Sequence, residues 1–356
     1  MKKVDAVVLN AFELGYPNAL QIEVLYKNKK VFSKNYGKNN YRYFDIASLT
    51  KILVTVPLIM KLTDDQLLDI QKPISFYLGF LKNYSVGNIK IHDLLAHRSG
   101  LTWWRPYFKV LEKLPYSIKH EKLKEILRME QVGSAKKCIY SDLDFLLLGF
   151  LIQEIYGAEL ENLAQEFIFK KLNLKNTFYL PRVARGLLQS NSINKKDFAP
   201  TEINSTRGLI QGQVNDANAW SMGGVAPHAG LFSNLSDLSH YGHLLLENVL
   251  GKNTEIAKHK TLKQFVTRAV DRDQGDWGLG FMIPSKPISS AGKLISRESF
   301  GHTGFTGTSL WVDVKRKVVV SILSNRTYPT PNDTRFLTLR REIHDAIWET
   351  LDAKRN

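Results

Sequence analysis

Between Ser48 and Leu62 the chain puts a cation where an apolar helix should not carry one. Ser48 heads a run (Ile52, Leu53, Val54, Val56, Leu58, Ile59, Met60, Leu62) that is apolar on nearly every side. A helix of that kind belongs in the interior of a fold. Pro57 within it should bend the helix or remove a hydrogen bond. Ser48 can be read as an N-cap, but a capping box would want Glu or Gln at position 51, and the chain has Lys51. A cation in the first turn opposes the helix dipole at a cost of roughly 0.3–1 kcal/mol. Residues three apart share a helix face, so the Lys51 amine can reach the Ser48 hydroxyl. In that arrangement a Lys, or a base it orients, activates a Ser nucleophile. The helix alone is compatible with either a cap or a nucleophile. Ser-x-x-Lys also occurs at Ser134/Lys137, Ser192/Lys195 and Ser290/Lys293. These lie in polar, Lys- or Gly-containing stretches that open no buried helix, and they read as solvated loops.

With 356 residues, 44% of them hydrophobic, the chain can build a large core, as one long domain or two lobes. A single cysteine, Cys138, permits neither a disulfide framework nor a thiolate metal cage. The net charge of +15 comes from short, scattered runs (Lys27 to Lys30, Lys136-Lys137, Lys195-Lys196, Lys315 to Lys317), which read as a Lys-rich surface. The sharper reading is attraction to an anionic polymer. There is no zinc-finger spacing and no basic heptad region, so no nucleic-acid partner is expected. No stretch approaches 18 apolar residues, so no membrane span is expected. Asp5, Asn10 and Glu13 interrupt any signal-type apolar region. The sequence as it stands therefore reads as cytoplasmic, or periplasmic if a leader has been trimmed.

Residues 3 to 14 read as a helix. Leu20–Tyr26 and Lys30–Tyr36 read as strands around Asn28-Lys29. Ser141–Tyr156, Ala158–Leu172 and Asn234–Leu250 read as helices. Trp277–Ile283, Ser299–Thr303, Thr308–Val314 and Val318–Ser324 read as strands, and Asp333–Lys354 as a terminal amphipathic helix. Strands at both ends with helices between them suggest one α/β domain closed by its termini. Residues 1–65 and 251–356 would form an α/β lobe, and 66–250 a mostly helical one.

Several chemistries fail on spacing. There is no H-E-x-x-H, and His240-x-x-His243 lacks partners, so no metal site is expected. There is no P-loop, and no cofactor is implied. Ala219-Trp-Ser221-Met-Gly223 nearly mimics a nucleophile elbow, but a glycine-rich loop follows it in place of a helix.

Two further segments complete a constellation. Tyr140-Ser141-Asp142 places a Tyr directly before a helix, and Phe300–Thr308 places a Gly-rich turn, His302-Thr303-Gly304, between strands. In the order S-x-x-K, Y-S-x, H-T-G, the chain resembles the serine hydrolases of the class C β-lactamase and DD-peptidase superfamily, which includes penicillin-binding carboxypeptidases and small-ester esterases. Ile91–Leu101 and Gly212–Ser233 resemble two more segments of that superfamily, so the similarity runs from about residue 15 to 350. It implies an α/β (α+β) fold with an antiparallel sheet flanked by terminal helices and a mostly helical second lobe.

The resemblance also implies roles. Ser48 would be the nucleophile of an acyl-enzyme, with Lys51 and Tyr140 sharing the acid and base work. His302 on the cleft-lining strand would meet the substrate with Asp142, Thr303, Gly304 and Phe305. The N–H groups of Ser48 and Phe305 would form an oxyanion hole. Burial and a protonated His302 would lower Lys51, and a nearby Lys⁺ would lower Tyr140 toward phenolate.

Some positions depart from the family pattern. Asp142 stands where Asn is frequent. If ionised it favours Lys51 as ammonium and makes Tyr140 the expected base. His302 stands where penicillin-recognising members have Lys. A largely neutral His tilts the expectation toward esters or neutral amides. Asn215 and Pro227 replace a frequent His and Gly. The expected substrates are a small ester, a D-amino-acid amide or a D-Ala peptide of peptidoglycan type. The alternative is a penicillin- or cell-wall-binding protein with little or no turnover. His97, His228, Trp103 and Trp104 read as structural or rim residues.

Overall fold

The computed structural model describes residues 1–134, 138–181, 193–284 and 289–353. Lys136, Lys137, Ser192 and Lys354, which enter the sequence reading, lie outside the described residues. The strands in chain order are β1 (Leu20–Tyr26), β2 (Lys29–Tyr36), β3 (Phe44–Asp45), β4 (Phe178–Tyr179), β5 (Glu202–Asn204), β6 (Gly208–Ile210), β7 (Leu231–Ser233), β8 (Phe300–Thr303), β9 (Ser309–Asp313) and β10 (Val318–Ser324). The helices that matter here are α1 (Lys2–Glu13), α2 (Val56–Asp64), α3 (Tyr116–Arg128), α4 (Asp142–Tyr156), α5 (Leu235–Val249) and α6 (Arg335–Asp352).

Five strands form one antiparallel sheet in the order β2-β1-β10-β9-β8. The two ends of the chain therefore meet in its middle, where β1 pairs with β10 from Leu20↔Ser324 to Tyr26↔Val318. β10 is apolar on both sides because both faces are covered. Val318, Val320 and Ile322 pack with α1 and α6, whereas Val319 and Leu323 join the main core. That second face is closed by α5, the helix that the sequence reading grouped with the helical lobe. Gly242 lets it lie flush: a Cβ there would come within 2.5 Å of Val319 and 2.8 Å of Leu310. The β1–β2 turn uses Lys27 and Asn28, both with positive φ (48° and 66°), so β2 begins one residue earlier than the sequence suggested.

One expected strand is absent. Trp277–Ile283 alternates apolar residues with Gly278 and Gly280, which mimics a strand. The glycines instead permit a tight turn, with Gly278 N–H donating to the Phe281 carbonyl at 2.9 Å and Gly280 at φ +83°. Only Met282 joins the sheet, through a two-way bridge to Gly301.

The helix after Ser48 is buried as expected, and Pro57 has a specific consequence. Lys51–Thr55 widen into a π turn, with Val56 N–H donating to the Lys51 carbonyl. The next donor in that pattern would be Pro57, which has none. The orphaned Ile52 carbonyl instead accepts from the Tyr241 hydroxyl of α5 at 2.6 Å. The helix that carries Lys51 is thereby tied to the helix that backs the sheet. No helix among the described residues is long and apolar enough to cross a membrane.

Candidate active site

Ser48 sits at the end of a turn held from three directions. The Asp45 carboxylate accepts from Ala47 N–H at 2.8 Å and from Asn215 N–H at 2.6 Å. The β8–β9 turn closes over the same backbone: Thr306 Oγ1 donates to the Asp45 carbonyl at 2.7 Å, and Thr308 Oγ1 to Ile46 at 3.1 Å. Ala47 adopts φ +47°, a left-handed conformation that costs a non-glycine residue about 1 kcal/mol or more. Gly304 is required by this closure, because a Cβ would fall 2.2 Å from Thr308 Oγ1 and 2.6 Å from the Ile46 carbonyl. Among the described residues no backbone group accepts a hydrogen bond from the N–H of Ser48 or of Phe305, so both donors are available at the mouth of the turn.

Lys51, fully buried, gathers the other groups. Its Nζ donates to Ser48 Oγ at 3.1 Å, Tyr140 Oη at 2.7 Å and Asp142 Oδ1 at 2.6 Å. Tyr140 Oη donates to Ser48 Oγ at 2.8 Å. Two segments far apart in the chain therefore share one hydrogen-bonded chain, Ser48–Tyr140–Lys51–Asp142. Burial pushes the Lys51 ammonium down, but the Asp142 carboxylate and Tyr140 outweigh it and hold the amine above its ordinary range. For Tyr140, burial dominates and pushes the phenol up against the pull of Lys51. The expected phenolate is thus corrected: the resting pair is an ammonium and a neutral phenol. Asp142, expected among the substrate contacts, is engaged with Lys51, its side chain 14% exposed.

His302 lies on β8 as expected, but it is buried. The Thr303 carbonyl accepts from Nδ1 at 2.8 Å, so Nε2 is left as an acceptor with no partner among the described residues. Burial, then the Lys51 charge, push it down to about 3. It is neutral across physiological pH, and the expectation that a protonated His302 helps to lower Lys51 is not met. Thr303, Gly304 and Phe305 follow it into the closing turn, with the Phe305 ring 53% exposed beneath the Arg326 guanidinium.

Two residues without a catalytic role in the sequence reading, His97 read as structural and Trp277 as part of a strand, shape the site from behind. His97 brackets Tyr140: its carbonyl accepts from Ile139 N–H at 3.0 Å, its Nδ1 from Ser141 N–H at 3.2 Å, and its ring packs 4.8 Å from the Tyr140 ring. His97 Nδ1 also pairs with Asp144 Oδ2 at 2.9 Å. Burial favours this neutral pairing, raising Asp144 and lowering His97. Trp277 stacks on Tyr140, 5.5 Å away and 17° from parallel, and its ring also lies 4.5 Å from that of His97, so the three rings form one cluster. No local pattern marks Trp277, since its position depends on the turn that replaced the expected strand. Trp103 is exposed, and its carbonyl accepts from Asp142 N–H at 3.0 Å, which places it at the rim.

Asp142, Asp216 and His228 offer ligand-type atoms within 4.8 Å of one another. Their contacts are already taken: Asp142 by Lys51, and Asp216 by His228 at 3.1 Å and Ala219 N–H at 2.7 Å. The adjacent ammonium opposes a further cation.

This combination of fold and pocket defines a class, and comparison with known proteins supports it. The β-lactamase family model matches residues 20–345. Two solved structures share the fold. EstCE1, a hydrolase with promiscuous acyltransferase activity, has a TM-score of 0.76 at 15% identity over 98% of each chain. A class C β-lactamase from Rhodobacter sphaeroides has a TM-score of 0.70 at 17% identity over 99% of this chain and all of the other. A Salmonella typhi protein named "Putative D-alanyl-D-alanine carboxypeptidase" is 29% identical, covering 92% of this chain and 83% of its own length. The chain belongs to the β-lactamase family of hydrolases.

Proposed function

We propose that the protein is a serine hydrolase that forms an acyl-Ser48 intermediate with small esters, D-amino-acid amides or D-Ala-type peptides. The observation that carries this reading is the continuous hydrogen-bonded chain from Ser48 through Tyr140 and Lys51 to Asp142. Once Lys51 has passed a proton to Asp142 and the two hydroxyl hydrogens have turned so that Ser48 donates to Tyr140 and Tyr140 to Lys51, Ser48 Oγ attacks the acyl carbon as its proton passes to Tyr140. Tyr140 gives its own proton to Lys51, which has already given one to Asp142. Tyr140 and Lys51 each lose one proton and gain one, Ser48 exchanges its proton for the acyl bond, and Asp142 ends the relay as the neutral acid. The Ser48 and Phe305 N–H groups stabilise the oxyanion. Reversal of the relay protonates the leaving group, and water or an acceptor alcohol then repeats the sequence. The carboxypeptidase name of the Salmonella relative and the promiscuous acyltransferase activity of EstCE1 favour these two acceptor classes.

An internal relay makes turnover insensitive to bulk pH in the neutral range. In Asp142→Asn the terminal acceptor is gone, and burial lowers Lys51 against Tyr140 alone. A pH–rate profile of that variant is expected to gain a limb that rises with pH as Lys51 loses its proton, where the parent is flat between pH 6 and 8. Superimposable profiles would contradict the relay.

The buried, neutral His302 gives a second expectation. An ordinary His protonates between pH 8 and 5 and would then tighten the grip on a carboxylate. With His302 held near 3, KM for a carboxylate-bearing ester should not fall over that range. A tenfold fall toward pH 5 would place a titrating cation in the cleft.

His97 acts as a positioning residue for Tyr140. His97→Asn keeps an acceptor for Ser141 N–H and tolerates the φ of +55°. Its kcat should stay within a few-fold of the parent. His97→Leu should lose roughly tenfold or more in kcat, with KM little changed. Equal kcat in the two variants would leave His97 a packing residue.

A further inference from the structure

We propose that the interface between α6 and strands β9 and β10 holds a monovalent inorganic anion of the chloride type. The register of the sheet brings its ligands together. Ser309 pairs with Ile322 and Trp311 with Val320, and cross-strand partners share a face. Val320 and Ile322 pack under α6, so Ser309 and Trp311 point toward that helix, as does Ser324 two residues beyond Ile322. From the helix, Arg340 and His344 lie four apart on one face. The close approach of Gly307 to both Ser324 Oγ and Phe336, 3.0 Å from an added Cβ in each case, ties the end of β10 to the first turn of α6.

Arg340 is 6% exposed, and Ser309, Trp311, Ser324 and His344 are 0–1% exposed. Seven of their side-chain atoms have no hydrogen-bond partner among the described residues: Ser309 Oγ, Trp311 Nε1, Ser324 Oγ, Arg340 Nε and Nη1, and both nitrogens of His344. Buried polar groups are paired in the great majority of cases, so this concentration at one interface needs an explanation. The Trp311 and Arg340 groups can only donate, and the hydroxyls and the imidazole can donate as well. The missing element is an acceptor.

Charge selects the acceptor. Burial, and then the charges of Arg326 and Arg341, both cationic, push the Arg340 guanidinium down to about 9. A buried guanidinium without a carboxylate is expensive, and water supplies acceptors without offsetting the charge. One surplus positive charge calls for one negative charge, so a halide fits better than a phosphate dianion.

The test combines anomalous diffraction from crystals grown in sodium bromide with melting curves in sodium chloride against sodium gluconate at constant ionic strength. The expected result is a bromide peak within hydrogen-bond distance of Arg340 Nε or Nη1 and of Trp311 Nε1. Tm should rise by about 4 °C when chloride reaches a hundred times its Kd. Arg340→Gln should lose the chloride response. Trp311→Phe, which keeps the core filled if the Arg340 variant fails to fold, should need roughly tenfold more chloride for the same rise. Waters alone on these donors would overturn the proposal. A bromide peak without any chloride-dependent stability would overturn it too, because such an ion would not be offsetting the buried charge.

Discussion

Ser48→Ala is expected to lower turnover of p-nitrophenyl butyrate by about 10⁴-fold or more, because without the hydroxyl no acyl-enzyme can form and only oxyanion stabilisation and binding remain. The fold should be untouched. Ser48 is partly exposed, and the turn that presents it is held by Asp45, Thr306 and Thr308 rather than by its own side chain. Melting temperatures close to that of the parent would show that the loss is chemical. Residual turnover within about tenfold of the parent would mean that another group is the nucleophile.

The second large effect is expected from Tyr140→Phe, at about 10³-fold in kcat, within the range of a lost acid–base group. The ring would remain packed against His97 and Trp277, so position and packing survive while the hydroxyl between Ser48 and Lys51 is removed. Lys51 Nζ is itself 3.1 Å from Ser48 Oγ, which predicts residual activity through direct transfer rather than a complete loss. A Tyr140→Phe enzyme as active as the parent would make the phenol a spectator and leave Lys51 to act alone.

Much of this site was legible in the chain. Lys51 in the first turn of an apolar helix was already a local misfit. Misfits of that kind point to function because nothing in the helix itself explains them. Tyr140 ahead of a helix and the Gly-rich turn after His302 supplied the remaining anchors, and the structure gathers all three segments around Ser48. The protonation states were not legible, because they depend on burial. Tyr140 lies beside an ammonium yet is pushed up, and His302 is neutral because it is enclosed. The sequence raised an Asp142–Lys51 pairing only conditionally, since whether the two meet depends on how α4 starts relative to α2.

Much of the fold was legible as well. β1 and the terminal helices carry periodic apolar patterns and β10 a nearly continuous apolar run, and their positions were anticipated closely. Trp277–Ile283 misled because alternation with glycine satisfies the strand period while the glycines favour a turn. α5 was recognised as a helix but grouped with the helical lobe. Its contact with the sheet depends on a close approach at Gly242, and a lone glycine in a helical pattern gives no sign of that.

The most direct test of an acyl-Ser48 mechanism is intact-protein mass spectrometry after brief mixing with p-nitrophenyl butyrate and acid quench, with Ser48→Ala run beside the parent and the labelled peptide mapped. The account predicts a butyryl adduct on Ser48 in the parent, which decays as product appears, and none in the variant. An adduct on another residue, or full turnover with no adduct at any time point and no loss of rate in Ser48→Ala, would contradict it.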